Sequence, residues 1–337
     1  MTTPANETVR TSERPSAARA FWITRPGHAE IRTEPIPDIP EEYLLIRATH
    51  GAISKGTESL IFRGKVPSKM VDRMRCPFQT GDFPGPVKYG YSTVGTVIDG
   101  PGARIGQSVF CLYPHQDFFT IPAAAAHGLP KGLPPSRAVL AANMETALNA
   151  LWDAGIRRGD QVCVIGAGVV GLLTAYLARR VGRARVDLLD IDPSKAATAR
   201  AVGATFQERP PSNANYSTVI HASGAPAGLA TALKITGLEG KIIELSWYGT
   251  QPVTLNLGED FHDRRLTIRS SQVGSVATSR RQGWTHARRL DKALELLRDP
   301  CLDVLISGES DFEELPGTMA ALADGRLSAL CHRIIYR

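Results

Sequence analysis

The stretch QVCVIGAGVVGLL, residues 161–173, limits the possible folds of this chain more than any other. A short apolar run, QVCVIG, enters a glycine triplet at Gly166, Gly168 and Gly171. A helical pattern, VVGLLTAYLARRVG, leaves it. The triplet alone is a weak signal, but between a strand and a helix each glycine has its own task. Gly166 permits the tight turn. Gly168 lets the backbone approach a pyrophosphate. Gly171 lets helix and strand pack closely. The helix start at Val169 and Val170 then offers free N–H groups to phosphate oxygens.

The same alternation continues. RVDLLDID reads as a strand and PSKAATARAVGA as a helix. TVIHASG, PAGLATALKIT and GKIIELSWYG read as strand, helix and strand, and LTIRSSQVG adds one more strand. Alternating strands and helices predict βαβ units around a doubly wound parallel sheet, an α/β fold. Asp190 ends the second strand about twenty residues beyond the glycines, where a carboxylate accepts hydrogen bonds from ribose hydroxyls and repels a 2′-phosphate. Ile191 and Asp192 follow, so no arginine stands ready for that phosphate. The cofactor expected is NAD rather than NADP. Asp190 also suits a helix cap before PSKAA, although Asp192 fits that role better.

Residues 19–125 have a different texture. ARAFWI, EEYLLIRATHGAI, YSTVGTVI, SVFCLY and DFFTI are short apolar runs punctuated by Gly and Pro, which predicts a compact, partly closed sheet. Residues 62–86 interrupt it with a long, basic, irregular segment of the kind that is functional or mobile. From Pro134, SRAVLAANMETALNALWDAG is helical. After the last parallel strand come the helices RRLDKALELLRD and DFEELPGTMAALADG, and the chain closes on the strand LCHRIIY. The expected division is a tail at 1–18, a first domain of 19–140 and 283–337, and a nucleotide-binding domain of 141–282.

Bulk properties exclude several classes. The 337 residues are 43% hydrophobic and 21% charged, enough for roughly two domains each with its own core. No apolar run approaches the ~20 residues of a membrane span, and the polar start lacks the apolar core of a signal peptide. Cys76, Cys111, Cys163, Cys301 and Cys331 are odd in number, scattered and without a CxxC, as free thiols in a reducing compartment would be. A cytoplasmic location follows as the expectation. The net charge is +6. The arginine pairs at 264–265, 280–281 and 288–289 lack interleaved aromatics or a nucleic-acid motif, so a small-molecule substrate is expected, not nucleic acid or membrane.

A β-rich first domain, a Rossmann domain and a return to the first make an unusual order. With the quoted motifs, it resembles the medium-chain dehydrogenase/reductase superfamily: the zinc alcohol dehydrogenases and their zinc-free cousins. The resemblance covers roughly residues 19–337 and implies a GroES-like catalytic domain beside the Rossmann domain. GAISKGTES is similar to the family's segment with the first zinc ligand, and KYGYSTVG to its GHE segment. METALNALWDAGIRRGDQVCVIGAGVVG is similar to the entry into the cofactor domain. Within the superfamily the chain is most similar to the zinc-poor branch that includes bacteriochlorophyllide side-chain dehydrogenase.

The departures from the family bear on chemistry. Ser54 stands where relatives carry Cys. Tyr91 and Ser92 stand for the His and Glu of GHE, and Ala142 or a neighbour for the third ligand. The four-cysteine lobe of structural zinc is missing. A catalytic zinc needs about three N, S or carboxylate ligands, so the sequence predicts no zinc and no other metal site.

Without a metal, protein groups must manage the proton and the developing charge on oxygen. Tyr91 is the first candidate, with Lys55 or Lys88 as a cation that lowers its pKa; packing is its other reading. Thr57 is the second. In one register of ISKGTE it takes the family's proton-relay position, and in the other Gly56 does and no relay exists. Glu145 reads either as an acid/base group or as a favourable charge at a helix start. The resemblance makes Thr146 a nicotinamide contact and brings Ser223 and Gly224 to the cofactor. Ser54, Tyr89, Trp247 and Tyr248 read as cleft walls for substrate, with packing the alternative for the last two. His115 and His221 read as satisfied residues.

The expected activity is NAD(H)-dependent interconversion of a secondary alcohol and a ketone. Alternatives are an NADPH-dependent enone or quinone reductase and a cofactor-binding homologue without catalysis. The resemblance also implies a homodimer through LTIRSSQVG.

Overall fold

The computed structural model describes residues 14–337. Residues 1–13 of the expected tail lie outside the described residues, and the first strand, β1 (Ala17–Arg25), begins within the remainder. Its alternating pattern buries Ala18, Ala20, Phe21 and Ile23. It pairs antiparallel with β2 (His28–Pro35). β3 (Tyr43–Ile53) is the long central strand of the first domain and runs directly into α1 (Lys55–Phe62). The basic segment that follows holds two 3₁₀ turns and ends in the short pair β4 (Thr80–Gly81) and β5 (Val87–Lys88). β6 (Thr93–Asp99), β7 (Ser108–Cys111), β8 (Phe118–Pro122) and β9 (His127–Gly128) complete this part.

The helical stretch divides into α2 (Pro135–Ala138) and α3 (Ala141–Ala154). The alternating region then gives β10 (Gln161–Ile165), α4 (Val169–Arg180), β11 (Arg185–Leu189), α5 (Ala196–Ala201) and β12 (Thr205–Gln207). β13 (Tyr216–His221), α6 (Pro226–Ile235), β14 (Thr236–Glu244) and β15 (Thr267–Ser270) follow. The chain ends through α7 (His286–Leu296), β16 (Ile306–Asp311), α8 (Leu315–Ala323) and β17 (Cys331–Ile335).

Three sheets result. The six parallel strands β12-β11-β10-β13-β14-β15 reverse direction of winding at β10, the doubly wound order that leaves a crevice at the carboxyl ends of β10 and β13. β10 is apolar on both faces because α3 and α4 cover one of them and α6 packs on the other side of the sheet. The first domain pairs β2-β1-β5-β4 in one sheet. Its other sheet runs β16-β17-β3-β6-β7-β9, with β8 also on β3. The largest core joins Leu148, Leu151, Val164, Leu172 and Leu173 to Leu290 and Leu294, so α7 packs on α3. A second core gathers Phe21, Ile46, Ile61, Phe119, Phe312 and Met319 around α1 and α8.

The two domains meet closely at one edge of the crevice. A Cβ on Gly249 would stand 2.8 Å from the Lys65 carbonyl oxygen and 3.6 Å from the Leu60 side chain. Among the described residues no helix is long and apolar enough to cross a membrane.

Candidate functional site

The glycine turn joins β10 to α4 at the crevice. Gly166 has φ +104°, and a Cβ there would lie 2.7 Å from Ser223 Cα. A Cβ on Gly171 would lie 1.8 Å from the Gly166 carbonyl oxygen. Those two positions are closed by the protein itself. Gly168 differs: nothing stands within 4 Å of where its Cβ would be, which leaves open space against the backbone. Val169 is buried at the helix start and Val170 half-buried.

Asp190 follows β11 and leans back onto this turn. Its Oδ2 accepts from the Ala167 N–H at 2.6 Å and its Oδ1 from the Asp192 N–H at 2.9 Å. Each oxygen keeps lone-pair capacity for a hydroxyl. Ile191 beside it is 93% exposed, an apolar side chain with no protein cover. Asp192 caps the next turn by accepting from Ser194 N–H at 3.0 Å. An open backbone at a helix start, an anchored carboxylate and a bare apolar side chain fit phosphate, ribose and a planar base in turn.

The facing wall in the first domain is built from α1 and from the segment before β6. Tyr91 is half-buried, edge-on to Tyr89 at 6.0 Å between ring centroids. Burial holds its phenol above the ordinary value near 10, and the Glu58 carboxylate adds to the rise. Ser54 and Thr57 lie beside the hydroxyl and pull the other way. The sequence expectation of a cation lowering this pKa is thus reversed. Lys88 is spoken for: it is buried, with Nζ 2.7 Å from Glu34 Oε2 and 2.9 Å from Gln116 Oε1. Lys55 is exposed on the first turn of α1. Tyr89 is buried, and its hydroxyl donates to Met74 O at 3.2 Å, which ties the basic segment to this wall.

Glu58 is the carboxylate nearest this cluster and is already engaged. Its Oε1 accepts from Ser54 N–H at 2.8 Å, and its Oε2 lies 2.9 Å from Nε2 of the fully buried His115. Ser92 donates to Val139 O at 2.6 Å. The positions that the resemblance assigns to zinc ligands hold Ser54, Tyr91 and Ala142 or a neighbour of Ala142. Zinc takes thiolate, imidazole or carboxylate, and these groups do not fit it. Among the described residues no three His, Cys, Asp or Glu side chains converge on a cation position.

Glu145 is buried on α3 and paired. Arg289 Nε on α7 donates to its Oε1 at 3.0 Å, while the same guanidinium donates to Asn149 Oδ1 at 2.6 Å and to the Val273 carbonyl. Burial raises the Glu145 pKa above the usual carboxylate range, and Arg289 draws it back. The arrangement joins two helices and leaves no free acid at this place. Thr146 spends its hydroxyl on Ala142 O at 3.0 Å, within the helix.

At the carboxyl ends of β13 and β14, a polar group closes the other side of the turn. His221 and Glu244 are register partners. Nδ1 of His221 lies 2.7 Å from Glu244 Oε2 and Nε2 lies 2.6 Å from Ser223 Oγ. Tyr248 donates to Glu244 Oε2 at 3.1 Å, and Gly224 N–H donates to Ser246 Oγ at 3.0 Å. Trp247 Nε1 is buried without a hydrogen-bond partner among the described residues. The sequence reading named His221, Ser223 and Tyr248 separately and missed Glu244 and Ser246. The available signal was that His221 and Glu244 each end an apolar strand.

Known proteins share this layout. The family model for the C-terminal domain of alanine dehydrogenase/PNT matches residues 144–239. D-guloside 3-dehydrogenase of Escherichia coli (strain K12) is 25% identical over 308 residues, 83% of this chain and 85% of that protein. An uncharacterized zinc-type alcohol dehydrogenase-like protein of Haemophilus influenzae is 22% identical over 356 residues, 91% of this chain and 95% of that protein. Two solved structures share the fold. An alcohol dehydrogenase of E. coli CFT073 complexed with NADH has a TM-score of 0.74 at 17% identity, covering 96% of this chain and 99% of that one. TarJ of S. aureus in complex with NADPH has a TM-score of 0.73 at 16% identity, covering 95% and 99%.

Proposed function

We propose that this chain is a member of the zinc-type alcohol dehydrogenase-like, medium-chain dehydrogenase/reductase superfamily and that it interconverts a secondary alcohol and a ketone with NAD(H) and without catalytic zinc. That it is an oxidoreductase acting on a CH–OH group accords with the dehydrogenases it is similar to. The observation that carries the finer reading is a set of hydroxyls in place of metal ligands: Ser54 and Tyr91 stand at two positions where the resemblance puts zinc ligands, and Thr57 lies beside the phenol. At the helix start, Gly168 leaves its backbone open.

The nicotinamide supplies the hydride chemistry when bound. The chain supplies the rest. Tyr91, its pKa raised, stays protonated at neutral pH. It gives this proton to the substrate oxygen in ketone reduction and takes it back in alcohol oxidation. Ser54 and Thr57, beside the phenol, pass the proton between it and solvent, which is its source and its final acceptor. Asp190 favours an unmodified ribose by accepting from its hydroxyls and opposing a 2′-phosphate. Pairing of two copies through the exposed edge of β15 is part of the same proposal.

The test combines three measurements on purified protein. Titration by nicotinamide fluorescence should show NADH bound more tightly than NADPH. Elemental analysis should find no stoichiometric zinc. A panel of secondary alcohols, followed at the nicotinamide absorbance in the presence of a chelator, should show turnover. Stoichiometric zinc with chelator-sensitive turnover overturns the metal-free mechanism, and failure to bind either nucleotide overturns the whole reading.

A further inference from the structure

Glu244, His221 and Ser223 form one continuous hydrogen-bonded chain. The His221 side chain is fully buried and that of Glu244 is 11% exposed, whereas Ser223 faces outward. Helix α6 is shaped around the pair. A Cβ on Gly228 would stand 2.5 Å from both His221 Nε2 and Ser223 Oγ, so any side chain there would break their bond. Ser223 also borders the glycine turn, its Cα 2.7 Å from the Cβ position of Gly166.

For a neutral imidazole, donor counting sets the direction of this chain. A carboxylate only accepts, so Nδ1 of His221 carries the proton and donates to Glu244 Oε2. In the neutral ring Nε2 is then an acceptor, and the Ser223 hydroxyl must donate to it. The Ser223 oxygen is left as an acceptor. It takes the Ala225 N–H at 3.2 Å and keeps one lone pair in reserve. A serine without such backing rotates freely and offers either a donor or an acceptor. This one offers an acceptor, which suits a ribose hydroxyl and rejects a phosphate oxygen.

We propose that Glu244 and His221 are positioning residues that hold Ser223 as the hydrogen-bond acceptor for a ribose hydroxyl of the bound nicotinamide dinucleotide. The inference rests on the cofactor reading given above. Glu244→Gln reverses the chain's polarity: an amide N–H facing Nδ1 makes Nε2 the donor and turns the Ser223 proton outward.

The test is NADH affinity of the intact protein by nicotinamide fluorescence. Ser223→Ala and Glu244→Gln should each weaken NADH binding roughly five- to tenfold, the worth of one hydrogen bond. The double variant should be no weaker than Ser223→Ala alone, because both changes remove one and the same contact. Unchanged affinity in Ser223→Ala overturns the proposal. So do additive losses in the double variant, which are what a purely structural role of Glu244 produces. If the unaltered protein ignores NADH, the cofactor reading itself fails; if it binds NADH and Ser223→Ala is silent, only this inference fails.

Discussion

Arg289 reaches from α7 to Glu145 on α3 at 3.0 Å, and both side chains are almost wholly buried. The two residues are 144 positions apart. Removing the cation leaves an uncompensated buried charge. Arg289→Leu should therefore cost about 3–5 kcal/mol of stability, measured by urea unfolding. Glu145 also titrates from a raised value. An acid with a raised folded pKa contributes stability below its unfolded value, about 4.5, and loses that contribution as pH rises through the folded value. Unfolding midpoints followed upward from pH 4.5 should fall more steeply for the native chain than for Glu145→Gln.

Gly168 and Gly171 should respond in opposite ways to one added methyl group. Gly171→Ala drives a Cβ to 1.8 Å from a backbone oxygen and should cost more than about 4 kcal/mol or prevent folding. Gly168→Ala meets no protein atom within 4 Å, so its thermal midpoint should be nearly unchanged while NADH affinity drops roughly tenfold or more. Differential scanning fluorimetry with and without NADH separates the two effects.

Tyr91→Phe keeps the ring and removes the donor. Turnover should fall at least roughly 10²-fold with the fold intact. Because the phenol ionises only above its ordinary value near 10, rates of the unaltered protein should show no loss from this group up to pH 10. An inflection near neutral pH that disappears in Tyr91→Phe would contradict the assigned role.

All five cysteines are free. Burial pushes Cys76 and Cys331 up to about 12 and the half-buried Cys301 up to about 11, so thiolate is scarce at neutral pH. A chromogenic disulfide reagent should titrate five thiols in denaturant and react slowly, with Cys301 leading, in the native protein.

The strand and helix periods made the parallel sheet legible, and the glycine spacing placed its turn. Both are local signals. β2, β12 and β16 escaped because they carry charges at alternate positions or, as with the three-residue TFQ, are too short to show a period. Pairings across the chain left no trace in sequence. Lys88 read as a free cation until the fold brought Glu34, 54 residues away, against it. Glu145 read as an acid/base group or a helix-start charge, because Arg289, 144 residues away, was out of sight for the same reason. His221 and Glu244 became one group only through strand register.

β17 lies between β16 and β3, so residues 331–335 complete a sheet whose central strand was made far earlier, at residues 43–53. The parallel sheet, by contrast, is drawn from the uninterrupted stretch 161–270. As the polypeptide leaves the ribosome, the nucleotide-binding half has all its strands while its neighbour still waits for two, β16 and β17. Synthesis order thus gives the nucleotide-binding sheet a head start, and a chain cut before Cys331 would leave β3 without the strand that joins it to β16.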